Sequence, residues 1–359
     1  MQKRQLGGSG LTLPALVLGG MFRETETRAA EIERVLDAAL DHGICAIDTA
    51  PLYDFGAAES LLGRWRKRRG VQDEVLLLGK VGLRWDDAVG DLLFEAKDAA
   101  GRLRSVRKDS RPEAVRWDVE QSLTRLGAER LDLVQIHQRD PRTPLSETFG
   151  ELMRLREEGK LRAIGVSNFE IADWQEAGRA LSDLGQLSIQ APFSMIDRRA
   201  EAEGLSWARD VSAGFLAYSP MARGLLVGRG AEGAAPIEDS RTQDPMFRPG
   251  NRSRVNGAVD DVLIPMAESY GVSLSALALA WVIGQPGVTS ALVGAQTEAQ
   301  LEDAVAAGTL ELAAADRSRL DGLSARIAID RLEGRSVAER ARGSFRRLVR
   351  RLIVRGRLG

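Results

Sequence analysis

Short apolar runs alternate with amphipathic stretches along most of the chain, and this alternation constrains the fold more than any other feature. Eight runs have the length and character of buried strands: Ala15–Leu18, Ile44–Ile47, Val75–Leu78, Leu131–Ile136, Leu161–Val166, Leu187–Ile189, Phe215–Ala217 and Ser290–Val293. The helical stretches are Ala29–Asp41, Ala57–Arg69, Pro112–Leu126, Leu145–Glu158, Glu170–Leu184, Arg198–Arg209, Ala258–Tyr270 and Leu274–Gly284. Strands separated by helices form parallel units, and eight of them close into a barrel. We therefore predict an α/β protein, a (β/α)8 TIM barrel, rather than an open sheet, because no G-x-G-x-x-G follows the first strand.

Three segments fall outside this alternation. Gln5–Leu13, with Gly-Gly-Ser-Gly in its middle, predicts a small N-terminal β-hairpin. Arg84–Arg111 and Ala222–Asn256 are interpreted as long loops that follow the third and seventh strands. In a barrel such loops emerge at the C-terminal face, where binding sites are built.

The C-terminal segment differs from the rest of the chain in charge. Residues 331–359 hold ten arginines and two glutamates, a net charge of +8, whereas the whole chain carries −1. We therefore divide the chain into a barrel, 1–330, and a basic helical tail, 331–359. Phe345, Leu348 and Leu352 belong to one apolar stripe of this tail. Docking on the barrel or a second subunit, contact with an anionic membrane or acidic partner, and disorder all remain open for it.

Composition excludes several classes of protein. An apolar fraction of 44% excludes a wholly disordered chain, and no apolar run approaches the roughly 18 residues of a membrane span. Cys45 is the single cysteine and there are two histidines, so neither an internal disulfide nor a thiolate-rich metal site is expected. The charged start, Met1–Arg4, precedes glycines rather than an apolar core, so we expect no signal peptide and a cytoplasmic location. The mildly acidic body gives no sign of nucleic-acid binding.

Six consecutive predicted strands end in polar or ionisable side chains. In chain order these are Asp48, Lys80, His137, Ser167 with Asn168, Gln190, and Tyr218 with Ser219. The carboxyl ends of all strands of a parallel barrel point to one mouth, so these groups should converge. Each residue alone is compatible with an ordinary salt bridge or a core histidine, but six in a row predict a site.

The residue types indicate carbonyl chemistry. Tyr53 lies five residues beyond Asp48, in a short loop that can place a phenol over the mouth. A neighbouring ammonium lowers a phenol's pKa, and Lys80 is positioned to supply one, with Asp48 holding the lysine charged. His137 can donate a hydrogen bond to a substrate oxygen as negative charge develops there.

A proton donor such as Tyr53 beside the oxygen-binding His137 suits reduction of a carbonyl group by hydride transfer. Because no protein side chain transfers hydride, this reaction requires a nicotinamide cofactor. Ser167, Asn168 and Gln190 are candidates to bind its carboxamide, and Tyr218 to stack on its ring.

Six motifs in sequence order resemble those of the aldo-keto reductase family over about residues 3–325. They are Arg4-Gln-Leu-Gly-Gly-Ser-Gly-Leu, Ile47-Asp-Thr-Ala-Pro-Leu-Tyr, Leu131-Asp-Leu-Val-Gln-Ile-His, Gly159-Lys-Leu-Arg-Ala-Ile-Gly-Val-Ser-Asn-Phe, Ala217-Tyr-Ser-Pro-Met-Ala-Arg-Gly-Leu-Leu and Val293-Gly-Ala-Gln-Thr. Any one motif is weak, but all six in order are highly specific. The resemblance implies a (β/α)8 barrel whose catalytic tetrad is Asp48, Tyr53, Lys80 and His137, with Tyr53 as proton donor.

The resemblance also implies a nicotinamide cofactor that lies extended across the barrel mouth. The residues that it assigns to cofactor binding are Gly20, Met21, Asp48, Ser167, Asn168, Gln190, Tyr218, Ser219, Pro220, Met221, Arg223, Gly224, Gly294, Gln296 and Gln300. The family often has Arg or Lys at Gln296, against the 2′-phosphate of NADP, and Asn at Ala304. NADP(H) is favoured on this basis, with NAD(H) as the alternative.

The expected activity is NAD(P)H-dependent reduction of an aldehyde, ketone or sugar carbonyl on a small molecule, or the reverse oxidation. A different class of function is also compatible with the fold, because some relatives of the family act as cofactor-binding regulatory subunits of membrane channels. The complete tetrad favours an enzyme, and the basic tail is the feature that favours the alternative.

Overall fold

The computed structural model describes residues 1–22, 28–85, 88–181, 184–227 and 244–330. Within these ranges the strands are β1 (Lys3–Gln5), β2 (Thr12–Pro14), β3 (Leu16–Gly19), β4 (Ala46–Asp48), β5 (Leu76–Val81), β6 (Leu83–Arg84), β7 (Asp91–Lys97), β8 (Leu103–Lys108), β9 (Leu131–Ile136), β10 (Leu161–Ser167), β11 (Leu187–Pro192), β12 (Gly214–Tyr218) and β13 (Ser290–Val293). Eight of them form a closed parallel barrel in the order β3-β4-β5-β9-β10-β11-β12-β13. The predicted (β/α)8 fold is confirmed.

Helices lie between the barrel strands and cover their outer face. They are α1 (Ala29–Asp41), α2 (Ala57–Arg69), α3 (Pro112–Leu126), α4 (Leu145–Glu157), α5 (Ile171–Ala180), α6 (Ser206–Asp210), α7 (Pro249–Ala258), α8 (Ile264–Ser269), α9 (Leu274–Ile283), α10 (Glu298–Thr309) and α11 (Ala314–Ile327). Pro112 occupies the first turn of α3 and Gly127 ends it in the left-handed region, so both predicted boundaries hold. One apolar core fills the space between these helices and the barrel wall.

A second apolar core fills the barrel itself and is closed at its amino end by the N-terminal hairpin. β1 and β2 pair antiparallel, and Leu6, Leu11 and Leu13 pack against inward-facing strand residues such as Val17 and Leu133. The loop of the hairpin lies against the segments that precede β11 and β12, as the bond from the Gly8 amide to the Gly185 carbonyl (2.7 Å) indicates. The carboxyl end is therefore the only open end of the described barrel, and it holds the polar residues.

The segment Arg84–Arg111 is not an irregular loop. β6, β8 and β7 form a three-stranded antiparallel sheet, in which Phe94 opposes Val106 and a bulge separates Leu92 from Phe94. The loop interpretation was wrong because the bulge breaks the period of β7, and Leu92, Phe94 and Leu103 stay exposed, so no buried apolar face marks these strands in the sequence. The turn of the hairpin is held by Asp98, which accepts from the amides of Ala100 (3.0 Å) and Arg102 (2.9 Å).

Several helix boundaries also differ from the prediction. The helix predicted over Glu170–Leu184 ends at Ala180, and the one over Arg198–Arg209 begins with a π-helical turn, Glu201–Leu205. Inside the segment interpreted as a loop, Ala222–Asn256, helical turns form at Ala222–Gly224 and Pro245–Phe247, and α7 begins at Pro249.

The last two helices were not predicted. α10 and α11 are rich in alanine and charged residues, and small side chains such as Ala304 and Ala307 form much of the buried face of α10. Small residues give a weak helical period in the sequence, although alanine has the highest helix propensity.

The described residues hold no single helix that is long and apolar enough to cross a membrane; one bent pair, Pro249–Ser269 with Leu274–Ile283 at 85°, reaches that length and composition together. The predicted tail, 331–359, lies outside the described residues. Its division from the barrel therefore stays a prediction.

We predict that a chain truncated after Asp330 folds as a complete barrel, because the described residues already close it. Asp330 itself is fixed, since its amide donates to Asn251 Oδ1 (3.0 Å) and its carbonyl accepts from Asn251 Nδ2 (2.9 Å). The thermal unfolding midpoint of the truncated chain should lie within about 3 °C of that of the full chain, which corresponds to a change of at most about 2 kcal/mol in the free energy of unfolding at this length. A much larger drop, measured by circular dichroism, would show that the tail contributes to the barrel's stability.

Candidate active site

A buried ion pair lies at the carboxyl end of the barrel. Asp48 ends β4 and pairs in register with Leu78 of β5, so Lys80, two residues further along β5, reaches the same side of the barrel wall. Lys80 Nζ donates to the Asp48 carboxylate and to the Thr49 carbonyl (3.3 Å). Both charged residues are almost fully buried. Burial opposes the charge on Lys80, but attraction to Asp48 and Tyr53 outweighs it and raises the lysine pKa above its ordinary value.

Tyr53 is presented to this ion pair by a strained turn. The Tyr53 hydroxyl lies 3.1 Å from Lys80 Nζ. Directly after it, Asp54 (φ 48°), Phe55 (φ 51°) and Gly56 (φ 89°) all adopt left-handed backbone conformations before α2 begins at Ala57. Consecutive non-glycine residues in this region cost free energy and persist where the surrounding structure imposes them.

A chain of buried amides holds the other side of the Asp48 carboxylate. Gln190 Nε2 donates to Asp48 Oδ2 (2.7 Å) and to Gln135 Oε1 (2.9 Å), and Gln135 Nε2 donates to Ser188 Oγ (3.2 Å). Gln190 was predicted as a carboxamide ligand, and here its amide group turns inward toward Asp48. Gln135 was missed because it lies inside β9, and the sequence analysis considered only polar residues at strand ends.

His137 completes the group of side chains around the phenol. It follows β9, its amide donates to the Val81 carbonyl (2.9 Å), and its ring stands at 84° to the Tyr53 ring with centroids 6.0 Å apart. Burial, helped by the nearby charge of Lys80, holds the pKa of His137 well below its ordinary value. The imidazole is therefore neutral at physiological pH and has one N–H to donate.

The pKa of Tyr53 departs from the sequence expectation. Lys80 lowers it, as expected, but burial of the phenol is the largest effect and Asp48 acts in the same direction as burial. The net result is a pKa above the ordinary value of 10. The phenol of the described protein is therefore protonated at neutral pH, which is the form that a proton donor needs.

The remaining predicted residues at the barrel mouth form a polar wall beside this group. Tyr218 OH donates to Asn168 Oδ1 (2.7 Å), and Asn168 Nδ2 donates to the His137 carbonyl (3.0 Å) and to Ser167 Oγ (3.1 Å). Asn168, Ser219 and Arg223 are in left-handed conformations, with φ of 53° to 55°. Strained residues thus concentrate where the sequence places the site.

A cavity of about 270 Å³ opens next to this wall. Its lining includes Tyr218, Ser219 and Arg223, three of the predicted cofactor residues, together with Arg199 and Asp244. Arg223 Nη1 lies 3.1 Å from Asp244 Oδ2, and Arg199 pairs with Asp197. Of the predicted cofactor residues that follow Ser219, Pro220 is buried, Met221 is half-buried and Gly224 is exposed.

The other predicted cofactor residues follow β3 and β13, and β13 lies between β3 and β12 in the barrel. Gly20 donates its amide to the Asp48 carbonyl (2.7 Å), and Met21 is exposed next to it. Gly294 follows β13 and has open space where a side chain would stand. Gln300 Oε1 accepts from the Gln296 amide (2.7 Å).

An arginine that the sequence analysis did not single out contacts Gln296. Arg28 Nη2 donates to Gln296 Oε1 (2.9 Å), so a guanidinium from the segment before α1 lies beside the residue that follows β13. The two positions are 268 residues apart in the chain, and no local sequence signal connects them.

Comparisons with known proteins agree with this architecture. The profile of the Aldo/keto reductase family matches residues 15–325. The chain is 36% identical to the aldo-keto reductase YhdN of Bacillus subtilis over 82% of this chain and 83% of the relative. It is 32% identical to the NADH-specific methylglyoxal reductase of Escherichia coli, over 88% and 96% of the two chains. The solved structure of the glycerol dehydrogenase AKR11B4 from Gluconobacter oxydans superposes with a TM-score of 0.79 at 32% identity, covering 93% of this chain and 98% of that one.

The closed parallel barrel, together with the similarity to these enzymes, places the chain among oxidoreductases of carbonyl and alcohol groups. The chain belongs to the aldo-keto reductase family.

We predict that the imidazole of His137 titrates with a midpoint below the ordinary pKa of 6.5, because burial and then the positive charge of Lys80 oppose its protonation. A pKa lowered in the folded state stabilises the fold above about pH 6.5, and this stabilisation is lost as the pH falls, since the unfolded imidazole binds the proton first. Imidazole NMR signals recorded against pH measure this directly, and His42→Gln assigns them, because the chain has two histidines. A His137 midpoint above pH 6.5 would contradict the described environment.

Proposed function

We propose that the protein is an NAD(P)H-dependent oxidoreductase that reduces an aldehyde, ketone or sugar carbonyl to an alcohol, or catalyses the reverse oxidation. The observation that carries this proposal is the Tyr53 hydroxyl held 3.1 Å from Lys80 Nζ, with the His137 ring 6.0 Å from the Tyr53 ring. Relatives named for methylglyoxal reduction and L-glyceraldehyde 3-phosphate reduction support a small polar carbonyl compound as the substrate class.

The roles of the side chains follow from their positions. A carbonyl oxygen placed between the Tyr53 hydroxyl and the His137 imidazole receives two hydrogen bonds as it becomes negative. Tyr53 then transfers its proton to that oxygen, and the Lys80 ammonium stabilises the phenolate that remains. Asp48 keeps Lys80 charged and fixed, and Gln190 holds Asp48. In the oxidative direction the phenolate accepts the proton.

A nicotinamide cofactor supplies the hydride in this proposal, and the chemistry of the mouth residues fits one. Tyr218 offers a half-exposed ring for stacking, and Asn168 and Ser167 offer an amide and a hydroxyl to a carboxamide. Arg223 and Arg199 line the adjacent cavity and suit a diphosphate, since guanidinium groups bind phosphate oxygens in pairs.

Tyr53→Phe should lower the turnover number by about 10²- to 10⁴-fold, as expected when a general acid is removed. The affinity for NADPH, measured by quenching of protein fluorescence, should stay within about twofold because the ring remains in place. Turnover is measured with a panel of short polar aldehydes, ketones and sugars and both reduced cofactors.

The regulatory alternative makes a different prediction for the same experiment. A cofactor-binding subunit would bind NADPH but oxidise it slowly with every carbonyl of the panel, and Tyr53→Phe would leave that slow rate unchanged. That combination would remove the proposed enzymatic function.

We propose NADP(H) as the preferred cofactor, and Arg28 supplies the residue-level support. The resemblance places the 2′-phosphate of NADP near Gln296, where this chain lacks the usual cation. The Arg28 guanidinium beside Gln296 provides a positive, planar donor at that place. Glu31, whose carboxylate is 3.8 Å from Arg28 Nε, is too far for a tight pair and leaves the guanidinium partly exposed.

Arg28→Gln should therefore weaken NADPH binding by about tenfold or more and leave NADH binding within about twofold, because only the phosphate loses a charge-assisted contact. Gln296→Arg should have the opposite effect and tighten NADPH binding relative to NADH binding. Fluorescence titrations with both cofactors measure the ratio of the two dissociation constants. Arg34→Gln is the matched control, because Arg34 in α1 pairs with Glu298 in α10 (3.1 Å) and no contact with Gln296 is described for it. Equal loss of both cofactors in Arg28→Gln would contradict the assignment.

A further inference from the structure

A second buried ion pair lies directly behind the turn that carries Tyr53. Arg125, in the last turn of α3, donates from Nε to Glu59 Oε2 (2.7 Å) in the first turn of α2. The Glu59 side chain is fully buried and that of Arg125 is 19% exposed. This pair was not singled out in the sequence, because its members are 66 residues apart.

Arg125 also contacts the turn itself. A Cβ atom built on Gly56 would lie 2.9 Å from Arg125 Cδ and 3.1 Å from its Nε, so the arginine packs directly on the Gly56 backbone. Gly56 closes the left-handed run of three residues that follows Tyr53. The turn is thus enclosed between Arg125 on one side and Lys80, bound to the Tyr53 hydroxyl, on the other.

The spacing of α2 and α3 fixes where Arg125 stands. A Cβ atom on Gly63 of α2 would lie 2.3 Å from the Arg125 carbonyl oxygen, so the two helices meet backbone to backbone at this glycine. Glu59 precedes Gly63 by one helical turn, which brings its carboxylate level with the arginine side chain. Backbone contact of this kind leaves little freedom for Arg125 to move away from the turn.

The ion pair between Arg125 and Glu59 interacts electrostatically with Lys80 of the active site. Burial raises the pKa of Glu59, and the charges of Arg125 and then Lys80 act against it. Glu59 is therefore near enough to Lys80 for the lysine charge to lower the pKa of its carboxyl group. No described side chain donates to its second oxygen, Oε1.

We propose that Arg125 and Glu59 act as a positioning pair that holds the Tyr53–Gly56 turn in its left-handed conformation and thereby sets the Tyr53 hydroxyl against Lys80 and His137. This inference rests on the proposed function of Tyr53 as proton donor. Without the pair, the strained turn loses the contact on its Gly56 side, and the phenol samples positions away from the substrate oxygen. A displacement of about 1 Å at a reacting group costs about 10²-fold in rate.

Arg125→Met removes the guanidinium and keeps much of the side chain's volume. We expect a 10- to 100-fold lower turnover number, with substrate KM and NADPH affinity within about twofold. Arg125→Lys keeps a cation for Glu59 and should recover most of the loss. Glu59→Gln keeps an oxygen that accepts a hydrogen bond from Arg125, so its turnover number should stay within about threefold of that of the parent chain.

The matched control is Arg116→Met. Arg116 lies on the same helix, and its Nε donates to the buried Glu151 (2.6 Å) without contacting the turn. This variant should lose thermal stability much as Arg125→Met does, with an unchanged turnover number. Equal turnover in the two methionine variants would mean that Arg125 has only a structural role, and would overturn the proposal.

A readout independent of turnover uses the three tyrosines of the chain. In protein labelled with 3-fluorotyrosine and free of cofactor, the ¹⁹F signal of Tyr53, assigned with Tyr53→Phe, should shift or broaden in Arg125→Met while the signal of Tyr270 stays in place. An unchanged Tyr53 signal would overturn the proposal even if Arg125→Met is slow. If Arg125→Met does not fold, Glu59→Leu takes its place and should shift or broaden the Tyr53 signal, whereas Arg125→Lys should leave that signal in place.

The failure of this inference is distinguishable from the failure of the proposed function. Adding Arg125→Met to Tyr53→Phe should cause no further loss, because the pair acts through the phenol. A further loss of 10-fold in the double variant would overturn the positioning role alone. Full turnover in Tyr53→Phe itself would instead remove the proposed function.

Discussion

The ion pair between Lys80 and Asp48 is the interaction on which the arrangement at the barrel mouth depends. Placing two charges in an almost dry site is costly, and removing either partner of such a pair destabilises a protein by about 3–5 kcal/mol. Hydrogen bonds from the surrounding polar groups offset this desolvation cost. Gln190 bonds to the Asp48 carboxylate, and the Thr49 carbonyl and the Tyr53 hydroxyl bond to the Lys80 ammonium. The same bonds hold the phenol and keep the lysine charged, so stability and chemistry rest on one set of contacts.

Much of this could be predicted from sequence because closure of a parallel barrel turns chain position into spatial position. Asp48, Lys80 and His137 each follow or end an apolar run, and closure of eight parallel strands brings the carboxyl ends of these runs to one mouth. The predicted strands and most helices are confirmed. Local patterns gave the elements, and the topology of the barrel gave the site.

The features that escaped prediction share a physical cause: their partners are distant in the chain or their pattern is masked. Arg28 meets Gln296, and Arg125 meets Glu59, through contacts that no local period encodes. The net effect on the Tyr53 pKa depends on burial of the phenol, which outweighs the charge of Lys80 that the sequence does reveal. The sheet of β6, β7 and β8 escaped prediction because its bulge breaks the period and Leu92, Phe94 and Leu103 remain exposed.

The N-terminal hairpin has a practical consequence for work with the protein. It seals the amino end of the barrel, and Met1 lies there against Gly43 and Gly308, at the pole opposite to Tyr53. A surface, bead or fusion partner attached through residue 1 therefore faces away from the mouth. Immobilisation through the N-terminus orients every molecule with its open end toward the solution, where diffusing small molecules arrive.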